Sequence, residues 1–231
     1  MNSSNDQSMF LSKQLAEQQN TIRESVAADE YQMLLDGTQV LSKIDILAKA
    51  PQKGDKLLDF SLSNQKGEPL KSFELLAKGS LVITFYRGGW CPYCNLELRA
   101  YQQVLEEIKA VGAMLVAITP ELPDASMSTT GKNELEFEVL SDVNSEYANA
   151  LGIFFILPAE LRDLYKSFGT DLEEYNGKGQ FGLPLAATFI VKQNGIITSA
   201  FVDVDYTKRK EPNEVIQELI NLDKKNGVRS Q

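Results

Sequence analysis

The sequence predicts an α/β domain with a mixed central sheet covered by helices, preceded by a helical extension. Three observations carry that prediction. Over 81–119 a buried-strand run, an amphipathic helix and a second strand follow one another. Such a β–α–β unit has parallel strands and a right-handed crossover. Apolar runs at 185–191 and 196–204 flank Lys192-Gln-Asn-Gly195, an Asn-Gly turn that makes an antiparallel hairpin. The first fifty residues are instead polar, with apolar residues at helical spacing. A parallel half, a hairpin and a closing helix together require a mixed sheet.

The elements follow in chain order. Residues 1–8 are expected to be disordered, and a polar helix is expected over 9–28. A second helix over 31–48 carries Met33, Leu34, Leu35, Val40, Leu41, Ile44 and Leu47 on one face. Asp36-Gly37-Thr38 should break it, with Thr38 capping the helical segment after the break. Ala50-Pro51 closes this extension, which divides the chain into 1–50 and a main domain over 51–231. A hairpin over 57–70 turns at Asn64-Gln-Lys-Gly67, and Ser72 caps a short helix ending at Gly79. The strand at 81–86 leads through Arg87-Gly-Gly-Trp-Cys-Pro-Tyr-Cys94 into a helix over 92–111. Pro92 suits its first turn and Gly112 its C-terminal stop. The strand at 113–119 precedes a loop with Pro120 and Pro123. A strand near 137–140 and helices over 145–151 and 159–168 come next. The hairpin and a final helix over 212–225 complete the order.

Composition narrows the function. The 231 residues are 43% hydrophobic and 24% charged, an ordinary globular balance that allows a sizeable core. Acidic residues outnumber basic ones 32 to 23, for a net charge of −9. That field argues against nucleic acid and against anionic membranes as partners. Apolar runs are far too short for a membrane span, and no secretory signal is visible. Histidine is absent, which removes Ser-His, Cys-His and His-metal mechanisms. The only two cysteines are Cys91 and Cys94, too few for a four-cysteine metal site or a stapled secreted scaffold. The pair reads as redox chemistry in a reducing, cytoplasmic compartment.

The dithiol sits where strand becomes helix. With Pro92 as the first helical residue, Cys91 is the N-cap and Cys94 the third helical position. Unpaired N–H groups and the positive end of the helix dipole then surround both sulfurs. A thiolate is favoured there, below the free thiol value of about 8.5. The i, i+3 spacing brings the sulfurs within bridging reach, so one thiol can attack and the other resolve the product. Trp90 and Tyr93 supply flat walls and Arg87 a nearby cation.

Three stretches carry a family resemblance: Gly54-Asp-Lys-Leu-Leu-Asp-Phe60, Ile83-Thr-Phe-Tyr-Arg-Gly-Gly-Trp-Cys-Pro-Tyr-Cys94 and Leu183-Pro-Leu-Ala-Ala-Thr-Phe-Ile-Val191. Over roughly 40–222 the chain resembles the alkyl hydroperoxide reductase/thiol-specific antioxidant family, in its branch with a Trp-Cys-Pro-x-Cys motif. The resemblance implies a thioredoxin-like fold and attack of a cysteine thiolate on a peroxide O–O bond, giving a sulfenic acid. A Cys91–Cys94 disulfide would follow, reduced by thioredoxin or a similar dithiol. No metal, flavin or nicotinamide cofactor is implied, and a homodimer is a family-based expectation. Matching Phe85-Tyr86 and Glu97 to the family puts the peroxidatic cysteine at Cys94, with Cys91 in place of the usual threonine. Matching to thioredoxins and glutaredoxins makes Cys91 the nucleophile; the sequence leaves both open, the family register favouring Cys94 and exposure at the N-cap favouring Cys91. The family's active-site proline falls on Arg87 and its peroxide-polarising arginine on Ala186.

Further residues have paired readings. Arg87 supplies the missing positive charge, or is a solvent-facing loop cation. Glu97 exchanges protons with a thiol or positions Arg87, or is a solvated helix carboxylate. Tyr86 and Trp90 line a substrate pocket, or belong to the core. The functional alternatives are a disulfide oxidoreductase with little peroxidase activity, and a redox sensor whose dithiol switches contacts of the helical extension.

Overall fold

In the three long central strands, side chains alternate between two faces with a period of two. Val82 joins one apolar cluster, while Leu81, Ile83 and Phe85 join another. Leu115 and Ala117 face the first cluster, and Val116 and Ile118 the second. A sheet apolar on both faces requires a helical layer on each side, and the computed structural model, which describes residues 10–227, has that architecture.

The chain begins with helices α1 (Leu11–Ser25) and α2 (Ala28–Lys43). Strands β1 (Ser61–Asn64) and β2 (Pro69–Lys71) form the first hairpin, followed by α3 (Ser72–Leu76) and β3 (Ser80–Phe85). Next come α4 (Pro92–Gln103), α5 (Leu105–Ala110), β4 (Ala113–Thr119), α6 (Pro123–Lys132), β5 (Glu138–Ser141) and α7 (Glu146–Ala150). The last third holds β6 (Phe154–Ile156), α8 (Ala159–Ser167), α9 (Leu172–Asn176), β7 (Gly182–Pro184), β8 (Ala186–Val191), β9 (Ile197–Asp203) and α10 (Pro212–Gly227). The main sheet runs β2-β1-β5-β4-β3-β8-β9. Strands β3, β4 and β5 are parallel neighbours, while β8 is antiparallel to both β3 and β9. The mixed sheet and both expected hairpins are therefore present, and Gly112 closes α5 with a left-handed φ of 70°.

The N-terminal helices are tied in at specific points. Leu11 and Leu15 are buried in the same cluster as Cys94, Leu98 and Tyr101, and α1 packs on α4. The Glu211 carboxylate accepts hydrogen bonds from the Leu11 and Ser12 amides at 3.1 and 2.7 Å. It thereby satisfies two of the N–H groups that a helix start leaves open. The Glu30 carboxylate accepts from the Ala27 N–H at the start of α2.

The structure differs from the sequence expectations in five places. Helix α2 runs unbroken through Asp36-Gly-Thr38, because Gly37 is where it meets α8. A Cβ at Gly37 would lie 2.5 Å from Leu161 Cδ1, so glycine serves close packing here and not a break. The helix expected over 92–111 is divided at Val104, whose ψ of 9° interrupts it. Ser72 opens α3 without capping it. Its hydroxyl instead accepts from the Phe60 N–H and donates to Asp59. Helix α6 lies where a loop is expected, in a segment of serines and threonines with low helix preference. A second small sheet, β6 with β7, was not expected. The disorder expected for residues 1–8 lies outside the described residues.

Candidate active site

Strand β3 ends at Phe85, and the Arg87–Trp90 turn delivers the chain to the start of α4. Cys91 is the N-cap, with φ −85° and ψ 117°, Pro92 is the first helical residue, and Cys94 sits one turn in. Both thiols are free, and both are buried. Gly88 and Gly89 permit this turn. A Cβ at Gly88, where φ is 152°, would lie 2.2 Å from Trp90 Nε1. At Gly89 it would lie 2.0 Å from the Thr129 hydroxyl. Gly88→Ala is therefore expected to displace the indole, shift the emission of the single tryptophan and lower thiol reactivity at least tenfold. Unchanged fluorescence and reactivity would count against this packing.

The two sulfurs have different electrostatic surroundings. Burial pushes the Cys91 thiol up, but the hydrogen bond from Cys94 and the charges of Arg87 and Arg209 outweigh it. Cys91 is therefore held well below the ordinary thiol range. Burial and the adjoining Cys91 thiolate push Cys94 well above that range. The opposite shifts favour the proton on Cys94.

Arg87 is 4% exposed, so it is no solvent-facing loop cation. Its Nη2 lies 3.8 Å from Cys91 Sγ, and its Nη1 donates to the Tyr165 hydroxyl at 3.2 Å. Its guanidinium carbon lies 4.0 Å from the Tyr206 ring centroid, 5.2 Å from Trp90 and 5.7 Å from Tyr165. Among the described residues no carboxylate forms an ion pair with it. The Cys91 sulfur therefore stands against a buried cation, which favours its thiolate form.

Glu97 is likewise no solvated carboxylate, because it is completely buried. It accepts from Arg209 Nε at 2.6 Å and from the Thr84 hydroxyl at 3.1 Å. Burial raises its carboxyl above the ordinary value, opposed by Arg209 and Thr84. Arg209 Nη2 reaches Cys94 Sγ at 3.3 Å. A cation therefore stands beside the dithiol although Ala186 occupies the family's arginine position. Sequence reasoning missed Arg209; the available signal was the basic run Lys208-Arg-Lys210 in an acidic chain. Glu121 was also missed. It accepts from the Gly89 N–H at 2.9 Å and from the hydroxyls of Tyr86 and Thr129 at 3.2 Å, which anchors the turn. Burial raises its carboxyl above the ordinary value against the pull of those donors.

A cavity of about 410 Å³ opens at the dithiol and is lined by Arg87, Trp90, Cys91, Tyr93, Tyr165 and Tyr206, among others. Cys94 does not line it. Trp90 and Arg87 thus stand in the wall of this cavity. Tyr86 and Glu97 do not: they are buried, with hydrogen bonds to Glu121 and Arg209.

The family model for the AhpC/TSA family matches residues 53–200. Peroxiredoxin Q of Sedum lineare chloroplasts is 26% identical over 182 residues, covering 79% of this chain and 82% of that protein. A putative peroxiredoxin bcp of Helicobacter pylori is 26% identical over 146 residues, covering 63% and 84%. Among solved structures, peroxidoxin BcpB from Mycobacterium tuberculosis superposes with a TM-score of 0.57 at 19% identity, covering 74% of this chain and 97% of that one. Xanthomonas campestris peroxiredoxin Q gives 0.54 at 18% identity, covering 76% and 99%. These likenesses show a shared thioredoxin-like fold.

Proposed function

The chain belongs to the AhpC/TSA family, and on that premise we propose that it is a thiol peroxidase in which Cys91 attacks the peroxide and Cys94 resolves the product. The observation that carries the assignment is the asymmetry of the dithiol. Cys91 lines the cavity and has its pKa lowered by the hydrogen bond from Cys94 and the charges of Arg87 and Arg209, while Cys94 does not line it and has its pKa raised. The Cys91 sulfur attacks one oxygen of R–O–O–H, and the O–O bond breaks. Sulfur is oxidised by two electrons to Cys91–SOH, and the released alkoxide or hydroxide takes up a proton. Cys94, one helical turn on, then attacks the sulfenic sulfur. Its proton and the departing hydroxide form water, and the Cys91–Cys94 disulfide remains.

Thioredoxin or a similar dithiol supplies the two electrons that reopen the disulfide. The family uses peroxide and a thiol reductant, and the exposed rim of the cavity is the place for that reductant to dock. A reducing compartment such as the cytoplasm suits a chain whose only cysteines are this pair. Among the described residues no helix is long and apolar enough to cross a membrane.

A second reading has Cys94 attack first, which the family register favours. The contact of Arg209 Nη2 with Cys94 Sγ at 3.3 Å supports it. The test of the function itself is stopped-flow oxidation of the reduced protein by hydrogen peroxide and by an organic hydroperoxide, followed through Trp90 fluorescence. A rate far above that of free cysteine is expected. A rate no better than free cysteine, together with rapid reduction of mixed disulfides, would make the protein a disulfide oxidoreductase.

A further inference from the structure

We infer that Glu121 and Asn95 are positioning residues for the Cys91 thiol: they grip the two ends of the Gly89 peptide and thereby fix the turn that sets Arg87 against that sulfur. The inference rests on the peroxidase reading with Cys91 as the attacking sulfur. One Glu121 oxygen accepts from the Gly89 N–H at 2.9 Å. The other accepts from the hydroxyls of Tyr86 and Thr129, each at 3.2 Å. Asn95 Nδ2 donates to the Gly89 carbonyl at 2.8 Å and to the Cys91 carbonyl at 3.1 Å. Its Oδ1 accepts from Asn133 Nδ2 at 2.8 Å, and Asn133 Oδ1 accepts from Arg99 Nη1 at 2.8 Å. The clamp is thus built from α4, from the segment after β4 and from the C-terminal end of α6.

The clamp reaches the sulfur through the backbone. Arg87 opens the turn and Cys91 closes it, with the Cys91 N–H donating to the Gly88 carbonyl at 3.1 Å. Rotation of the Gly89 peptide between them would move Arg87 Nη2 away from Cys91 Sγ, at 3.8 Å. Glu121, Asn95 and Thr129 are all buried, and among the described residues no cation pairs with Glu121. A buried carboxylate is costly unless its oxygens are bonded, and here the bonds go to the turn and to the groups beside it. Its charge, by contrast, repels the Cys91 thiolate. Glu121 therefore helps Cys91 by placement and opposes it by charge, and two substitutions separate these effects. The other groups that act on Cys91 by charge or hydrogen bond are Cys94, Arg87 and Arg209, with Glu97, Tyr93 and Tyr206 nearby.

The test is the rate of alkylation by iodoacetamide against pH, in the full chain carrying Cys94→Ser so that Cys91 is the only thiol. Alkylation needs no peroxide, so failure of the peroxidase reading leaves this readout intact. Glu121→Ala and Asn95→Ala are each expected to move the Cys91 titration up by about one unit, a roughly tenfold loss of thiolate below the titration. Glu121→Gln should behave in the opposite way. Its Oε1 can accept from Gly89, while its Nε2 donates to the Tyr86 and Thr129 hydroxyls, which accept as readily as they donate. With placement kept and the charge gone, the titration should stay where it is or fall. Leu76→Ala, in the apolar cluster on the other face of the sheet, controls for lost stability and should leave the titration in place. Alanine variants that fold without shifting the titration would overturn the inference. So would Glu121→Gln or Leu76→Ala shifting it upward as far as Glu121→Ala does. Asn95→Ala against Leu76→Ala decides the matter should Glu121→Ala not fold.

Discussion

Cys91→Ser is expected to abolish peroxide turnover, with a loss at least on the order of 10³-fold, the scale seen when a nucleophile is removed. The reason is structural as well as chemical. Cys91 is the sulfur that lines the cavity, and it is the one that Arg87 Nη2 contacts at 3.8 Å. Cys94→Ser should behave differently. It is expected to react once with peroxide, gain one oxygen at Cys91, and stop, because no second thiol can close the disulfide. Mass spectrometry of both variants after one equivalent of hydrogen peroxide distinguishes the cases. Oxygen gained by Cys91→Ser and not by Cys94→Ser would assign the attack to Cys94, beside Arg209.

Arg209→Met should have the largest effect on stability. The Arg209–Glu97 pair is buried, with side chains 1% and 0% exposed, at 2.6 Å. Removing one partner leaves an uncompensated charge, which costs about 3–5 kcal/mol. For a chain of this size that lowers Tm by roughly 10 °C. Adding Glu97→Gln to the same protein should recover part of the loss, since the stranded charge is then gone. Thermal unfolding of the reduced proteins checks both statements. A single variant less than about 1 kcal/mol from wild type would mean that Glu97 is not held as an ion in the interior.

The parts of this molecule legible in its sequence are those fixed by local chemistry. The N-cap and third-helical positions of Cys91 and Cys94 follow from Pro92 and a strand before it. The β3–α4–α5–β4 unit and the Asn194-Gly195 hairpin are likewise written in short stretches. The features that escaped depend on distant contacts. Arg209 is 115 residues from Cys94, so no local pattern assigns it to the dithiol. Glu97 reads either as a partner of the thiols or Arg87 or as a solvated carboxylate until Arg209 and Thr84 are placed around it. Gly37 reads as a helix break, although tertiary packing against Leu161 is its reason for being glycine. Helix α6 is hidden because Ser126 and Thr129 are held by hydrogen bonds to Ser141 and Glu121, distant partners that intrinsic preference does not show. Glu211, which caps α1 from 200 residues away, joins the two ends of the chain in a way that periodicity cannot show.

The central claim is that the reduced protein favours a thiolate at Cys91, through the hydrogen bond from Cys94 and the charges of Arg87 and Arg209. Its most direct test is a pH titration of the thiolate, followed by ultraviolet absorbance and by the rate of alkylation, in wild type and Arg87→Met. Because the folded value is lowered, the thiolate should persist as pH falls below about 8.5, the free thiol value. It should be lost only at the lower folded value. Its contribution to stability should follow the same course, fully present above the free value and lost as pH falls through the folded one. Arg87→Met is expected to move the titration upward toward the free thiol. A wild-type thiol that titrates at or above the free value, or a titration that Arg87→Met leaves in place, would contradict the account.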